Sequence, residues 1–153
     1  MIVPLQVSEL HTGRAVLALQ RRAYWVEAEL IGFAGIPPLL EELEDLRACT
    51  EEFHGWLEDG ELAAAISFRM ASASVLDIHR LMVDPAWFRR GLARRLLNWV
   101  EARPGLRRVL VSTGAANLPA RRLYQGAGFV LDDEITLPEG LRIARYRKEL
   151  PHP

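Results

Sequence analysis

The chain reads as an α+β fold, one mixed and mostly antiparallel sheet with helices packed on it. Three observations predict this. Strand-like runs at 53–58 and 61–70 flank Asp59-Gly60, a two-residue hairpin signal. A strongly amphipathic helix follows a strand that ends in Val83-Asp84-Pro85. Two further strand-like runs close the chain around "LPEG" at 137–140.

In chain order, Ile2–Val7 alternates loosely and predicts a short strand. Thr12 is placed to cap a helix over 14–31, because Val16, Leu19, Ala23, Val26 and Leu30 share one face at helical spacing. "GFAGIPPLL" at 32–40 breaks the chain with two glycines and two prolines, and a glutamate-rich helix is expected over 39–48. Strands follow over 53–58, 61–70 and 75–83, the last stopped by Pro85, which cannot continue a central ladder. A helix is expected over 90–102, ended by "RPG" at 103–105. The apolar run "VLV" marks a strand over 107–113, and a short helix over 117–125 is broken by "GAGF". Strands over 129–136 and 141–150 complete the order β-α-α-β-β-β-α-β-α-β-β.

With 153 residues, half of them hydrophobic and a quarter charged, one globular domain spanning 1–153 is expected. The net charge of −1 gives no overall bias toward nucleic acid. Cys49 is the only cysteine, so neither an internal disulfide nor a Cys-rich zinc site is available. His11, His54, His79 and His152 show no ligand spacing, so no metal is expected. No secretory leader pattern opens the chain and no long uncharged apolar run crosses it, which makes a cytoplasmic setting the expectation and a membrane partner an unexpected one.

The stretch "WFRRGLARRLL" at 87–97 holds four arginines around one glycine. On a helical wheel Leu92, Ala93, Leu96, Leu97, Trp99 and Val100 fill one arc, while Arg94, Arg95, Asn98 and Glu101 fill the other. The Arg94 and Arg95 side chains are therefore expected on a solvated face, which argues against a nucleic-acid helix. The turn before them differs in kind. A strand, a glycine turn and a helix N-terminus bring free backbone N–H groups and the positive end of the helix dipole together, a setting suited to a phosphate or pyrophosphate. Arg89 and Arg90 add full charges there.

This segment resembles the acetyl-CoA-binding motif of the GNAT superfamily of N-acetyltransferases, Gln/Arg-x-x-Gly-x-Gly/Ala after a strand ending in valine. Here it reads Phe88-Arg89-Arg90-Gly91-Leu92-Ala93, departing only at Phe88. A second match, "NLPARRLYQGAGF" from Asn117 to Phe129, has the spacing of the family's Asn, short helix and Leu-Tyr-x-x-x-Gly-Phe. The resemblance covers nearly the whole chain. It implies a three-layer fold of about four helices on a sheet of about seven strands, splayed at its centre.

It also implies roles for particular residues. The acetyl-CoA arm enters the splay, pairing with main-chain groups around Leu81, Met82 and Val83, and the Val83 N–H polarises the acetyl carbonyl. The amides of Phe88, Arg89, Arg90, Gly91, Leu92, Ala93 and Arg94 line the pyrophosphate turn. Asn117 bonds the cofactor arm, though an asparagine there equally suits a helix N-cap. Tyr124 lies where many members place a tyrosine near the cofactor sulfur, and its phenol, with an ordinary pKa of about 10, can protonate a departing thiolate. For the base, alternation along the third strand puts Asp77, His79, Leu81 and Val83 on one face. Asp77 and His79 are both candidates to relay a proton through water, and a structural pair is the competing reading. The acceptor is expected among the first helix, the loop after it and the ends of the third to fifth strands, with Tyr24, Trp25, Glu27, Glu29 and Phe33 as contacts. Its class is a small-molecule or peptide amine, with a weak lean toward a cation. A homodimer stays open, and so does a non-catalytic acyl-CoA sensor with the same fold.

Overall fold

The computed structural model describes residues 1–33 and 35–151. Ala34, within the expected loop, and His152 lie outside them. Seven strands form one sheet: β1 (Ile2–Leu5), β2 (Glu52–Glu58), β3 (Glu61–Met70), β4 (Val75–Val83), β5 (Arg108–Gly114), β6 (Val130–Thr136) and β7 (Arg142–Glu149). Their spatial order is β1-β2-β3-β4-β5-β7-β6. Every neighbouring pair is antiparallel except β4 and β5. Among the described residues five α-helices accompany them: α1 (Leu10–Ile31), α2 (Pro37–Leu40), α3 (Leu43–Arg47), α4 (Leu92–Glu101) and α5 (Leu118–Gly126).

The helices make the outer layers of a three-layer fold. On one side α1 buries Val16, Leu17 and Leu19 against Phe53, Ala65 and Met82. On the other, α4 buries Leu92, Leu96, Leu97 and Val100 against Ile66, Phe68, Leu76 and Ile78, in a core that also holds Tyr124 of α5. Each such leucine contributes about 1.5–3 kcal/mol by leaving water, which outweighs the modest helix propensity of ten residues. The amphipathic arc of the sequence thus fixes which side of α4 faces the sheet.

Two expected helix boundaries are corrected. Helix α1 begins four residues before the expected Arg14, capped at Glu9, because the Gly13 N–H already donates to the Glu9 carbonyl at 2.8 Å. Thr12 lies inside the first turn. The single helix expected over 39–48 is two, since Glu41 and Glu42 are both extended. Glu42 and Asp45 form a reciprocal capping box that restarts the chain as α3. No described helix is long and apolar enough to cross a membrane.

The feature that positions the site is the parallel pair. Strands β4 and β5 stay in register only from Val75–Arg108 to Ile78–Val111. Beyond that point β4 runs on to Val83 and β5 to Gly114 without pairing, so the sheet opens at its centre. The register of β4 against β3 also slips here, because Ser67 faces Arg80 while the next residue, Phe68, faces Ile78. His79 is the extra, bulged residue. A bulge bends its strand and increases its twist, which turns β4 away from β5.

Candidate active site

The opening between β4 and β5 is a cleft of about 530 Å³ walled by Leu81–Val83, Trp87–Arg94, α5 residues around Tyr124, and the Tyr24–Leu30 part of α1. Every cofactor-contact residue expected from the sequence lines it: Leu81, Met82, Val83, Phe88, Arg89, Arg90, Gly91, Leu92, Ala93, Arg94, Asn117 and Tyr124. The main chain of β4 supplies the inner wall. Asp84 donates its N–H to Ala63 of β3 at 2.8 Å, whereas Leu81 donates to the Tyr24 hydroxyl at 3.3 Å. Strand alternation therefore turns the polar groups of Leu81 and Val83 toward the cleft, and those of Met82 and Asp84 toward β3.

At the outer end of the cleft, a 3₁₀ turn (Pro85–Trp87) leads into α4. The Asp84 carboxylate accepts from the Ala86 N–H at 3.0 Å and is paired with Arg22 of α1, which anchors the turn. Arg89 and Gly91 both have positive φ, 64° and 74°. For arginine that conformation costs energy, and strain of this kind persists where surrounding structure or function requires it. Gly91 is the helix N-cap and has no side chain to satisfy the first amides of α4. The first helical hydrogen bond runs from the Arg95 N–H to the Gly91 carbonyl, leaving the amides before Arg95 pointing outward. Left-handed residues alternating with others also turn successive N–H groups to a common side, as in backbone anion nests. The arginine side chains divide as expected only in part. Arg94 and Arg95 are exposed, but Arg94 donates to the Gly126 carbonyl at the end of α5 and Arg95 stacks on Trp56. Arg90 stacks on Trp87 at the cleft mouth.

Two tyrosines reach the centre of the opening. Tyr124 is 5% exposed, with Phe129 and Tyr146 against its ring, and burial holds its hydroxyl well above the ordinary phenol range. It stays protonated at any physiological pH, as a donor must. Tyr24 stands across from it on α1. Asn117 caps α5 through its Oδ1, which accepts from Ala120 at 3.2 Å, so its amide NH₂ end is the part left to meet a ligand. Glu27 accepts from the Thr113 hydroxyl at 3.2 Å and the Gly114 N–H at 3.4 Å, and so ties α1 to the diverging end of β5. A smaller cavity of about 70 Å³ adjoins the cleft through Tyr24, Glu27, Leu81, Asn117 and Tyr124, and continues to His79 and Ser112.

The bulge corrects the expected face of β4. Leu81 and Val83 pack on the α4 side with Leu76 and Ile78, while Met82 packs on the α1 side. Asp77 and His79 are on that α1 side too. Asp77 pairs across the sheet with Arg69, and His79 reaches the half-buried Glu51. One extra residue in a period-two strand reverses the alternation of everything after it. Asp77 and His79 do come together, with His79 Nε2 3.5 Å from the Asp77 carboxylate and Nδ1 3.1 Å from Glu51 Oε2. Burial raises the Asp77 carboxyl, and His79 draws it partly back. Burial also pushes Glu51 up, but the Ser67 hydroxyl, Arg80 and His79 together outweigh that and hold it below the usual carboxylate range.

Glu51 and Arg80 are functional candidates that sequence reasoning missed. Arg80 bridges two acids, meeting Glu41 at 2.7 and 3.2 Å and Glu51 at 3.3 Å, and also donates to Gln20. The partners of Arg80 lie 29 to 60 residues from it in sequence, and nothing in the local pattern marks them. Since Arg80→Ala would strand two largely buried carboxylates, it should cost about 3 kcal/mol or more of unfolding free energy in a denaturant titration. A loss below about 1 kcal/mol would show that solvent already compensates them.

The acceptor contacts expected from the sequence separate. Tyr24 and Glu27 line the cleft, but Phe33 lines a different groove with Leu40 and Glu139. Trp25 is 53% exposed and, like Glu29, is not among the residues lining the cleft, because the helical turn carries both to the outer side of α1.

A family model described as the acetyltransferase (GNAT) family matches residues 19–129, which takes in the C-terminal part of α1, the splayed pair and both motif helices. The chain belongs to the GNAT family. The GNAT domain is 38% identical over 147 residues to the UPF0157 protein YqkA of Bacillus subtilis (strain 168), an alignment covering 95% of this chain and 43% of that protein. The chain thus spans under half the length of this curated relative. Among solved structures it resembles the ribosomal-protein-S18-alanine N-acetyltransferase of Escherichia coli, with a TM-score of 0.76 at 17% identity over 100% of this chain and 95% of that one. It also resembles the PaiA N-acetyltransferase of Thermoplasma acidophilum in complex with coenzyme A, with a TM-score of 0.77 at 15% identity over 98% of each chain. An aminoglycoside 6′-N-acetyltransferase complexed with coenzyme A matches with a TM-score of 0.71 at 14% identity, over 100% of this chain and 99% of that one. At these identities the likeness is one of fold, and it agrees with the GNAT-like architecture expected from the two motifs.

Proposed function

We propose that this GNAT domain transfers an acetyl group from acetyl-CoA to a primary amine by direct attack in a ternary complex. The observation that carries the reading is the splay itself. A strand edge without β5 beside it, with the main-chain groups of Leu81 and Val83 turned toward the cleft, leads straight to the outward-facing amides at the start of α4. Such an edge pairs with the two amides of a pantetheine arm as another strand would. The α4 turn takes the pyrophosphate, with Arg89 and Arg90 adding charge. Coenzyme A bound in two solved structures of this fold supports the choice of cofactor.

Acetyl-CoA supplies an activated thioester, and the protein supplies placement and proton handling. Tyr124, buried and neutral, donates to the departing thiolate. On the other side of the splay the smaller cavity leads to His79, whose ring is held between Asp77 and Glu51. His79 takes the acceptor's proton through water, and Asp77 supports it. The carboxylates around this entrance, Asp77, Glu51 and Glu27, favour an acceptor that arrives as a cation.

Thiol release from acetyl-CoA should rise when spermidine, kanamycin or an alanine-terminated peptide is added, with at least one of them saturable. Tight acetyl-CoA binding with no thiol release across a broad amine panel would instead identify an acyl-CoA-binding sensor.

A further inference from the structure

We propose that the Tyr24 hydroxyl is a donor to the reacting carbonyl oxygen, acting beside the Leu81 N–H. The inference rests on the acetyl-CoA reading above, and it gives Tyr24 a role distinct from the acceptor contact expected from sequence.

Leu81 lies just past the bulge, where β4 has lost β5, and its N–H faces the opening. An oxygen atom, that of Tyr24, already lies 3.3 Å from this nitrogen, so the amide can serve an oxygen on that side. Because the phenol oxygen accepts there, its own proton is directed elsewhere. Among the described residues it donates to no protein group, which leaves one unspent O–H at the junction of the main cleft and the smaller cavity. That junction divides the thioester side from the acceptor side, and a carbonyl under attack must straddle it.

The ring is held in place. Tyr24 packs against the cluster of Val16, Leu19 and Met82, and also against that of Ala28, Ile36 and Leu141. Burial, reinforced by the nearby Glu27 carboxylate, keeps the hydroxyl well above the ordinary phenol range, so it remains a neutral donor. A preorganised donor in a site shielded from water is worth most where charge develops.

The amine nitrogen bonds to the carbonyl carbon, and the carbonyl π pair moves onto oxygen. Leu81 N–H shifts its hydrogen bond from the Tyr24 oxygen to that oxyanion, and Tyr24 O–H donates to it as well. The pair then returns, the C–S bond breaks, and sulfur takes a proton from Tyr124, while the new ammonium loses its proton toward His79, from which a proton returns through water to the Tyr124 phenolate. Tyr24 keeps its proton throughout. The two tyrosines thus divide the work, Tyr24 on oxygen and Tyr124 on sulfur. Val83 N–H, about 6.6 Å further along the strand, is left for the cofactor arm.

The test is isotope-edited infrared spectroscopy of acetyl-CoA labelled with ¹³C at the carbonyl and bound to wild type, Tyr24→Phe and Tyr124→Phe. Hydrogen bonding to the oxygen lowers the carbonyl stretch. The expected result is a lower frequency in wild type and Tyr124→Phe than in Tyr24→Phe, with acetyl-CoA Kd within about twofold throughout. With spermidine, kanamycin or the alanine-terminated peptide, Tyr24→Phe should lower kcat about 10²-fold with little change in KM for acetyl-CoA. The same stretch in wild type and Tyr24→Phe would overturn the role of Tyr24 while leaving acetyl transfer intact. Failure of wild type to bind acetyl-CoA would refute the underlying reading, and this inference with it.

Discussion

Gly91→Glu should abolish measurable acetyl-CoA binding, lowering affinity by roughly 10³-fold, while the domain still folds. The figure follows from losing about two charge-assisted hydrogen bonds of 1.5–3 kcal/mol each. A Cβ added at Gly91 meets nothing within 4 Å, so the substitution does not disturb the packed core. Its local cost is the positive φ of 74°, about 1–2 kcal/mol for a residue with a side chain. The new carboxylate would stand at the amides that the pyrophosphate needs, and it repels the same charge those amides attract. Circular dichroism reads the fold and calorimetric titration reads the affinity. Retained affinity in a folded variant would defeat the assignment of the α4 turn.

Tyr124→Phe should lower kcat for thiol release by roughly 10²- to 10⁴-fold, the range of a single general acid, with the acetyl-CoA Kd nearly unchanged. The ring stays, so its contacts with Phe129 and Tyr146 stay. Only the hydroxyl is lost, and with it the proton for the departing sulfur. Because burial holds that hydroxyl above its ordinary range, the wild-type acid should not titrate away between pH 6 and 9. Unchanged turnover across that range would remove Tyr124 from the acid role.

Local patterns made much of the fold legible. Strands β3 and β4 have the bounds that their runs and flanking turns predict, and α4 and α5 lie where the two motifs put them. Motif residues are readable because their work is done by backbone over a few consecutive positions. His79 shows where that kind of reading stops. Its bulge is a property of the β3–β4 register, and no feature of "VLDIHRLMV" announces that one residue will be skipped. The misread face of Leu81 and Val83 follows from that one residue. Arg80, Glu51 and Glu41 were illegible for a related reason, since their pairing depends on the extended break between α2 and α3 and on the start of β2, far away in sequence. Glu27 was legible as a residue of the cleft but not as the tie between α1 and β5.

A crystal structure of the protein with acetyl-CoA would decide whether the cofactor occupies the gap between β4 and β5. In that complex the pantetheine arm should lie beside β4 at Leu81–Val83, the pyrophosphate on the amides between Arg89 and Arg94, and the thioester sulfur within hydrogen-bonding reach of the Tyr124 hydroxyl. Acetyl-CoA bound outside the gap between β4 and β5, with those amides untouched, would contradict this placement.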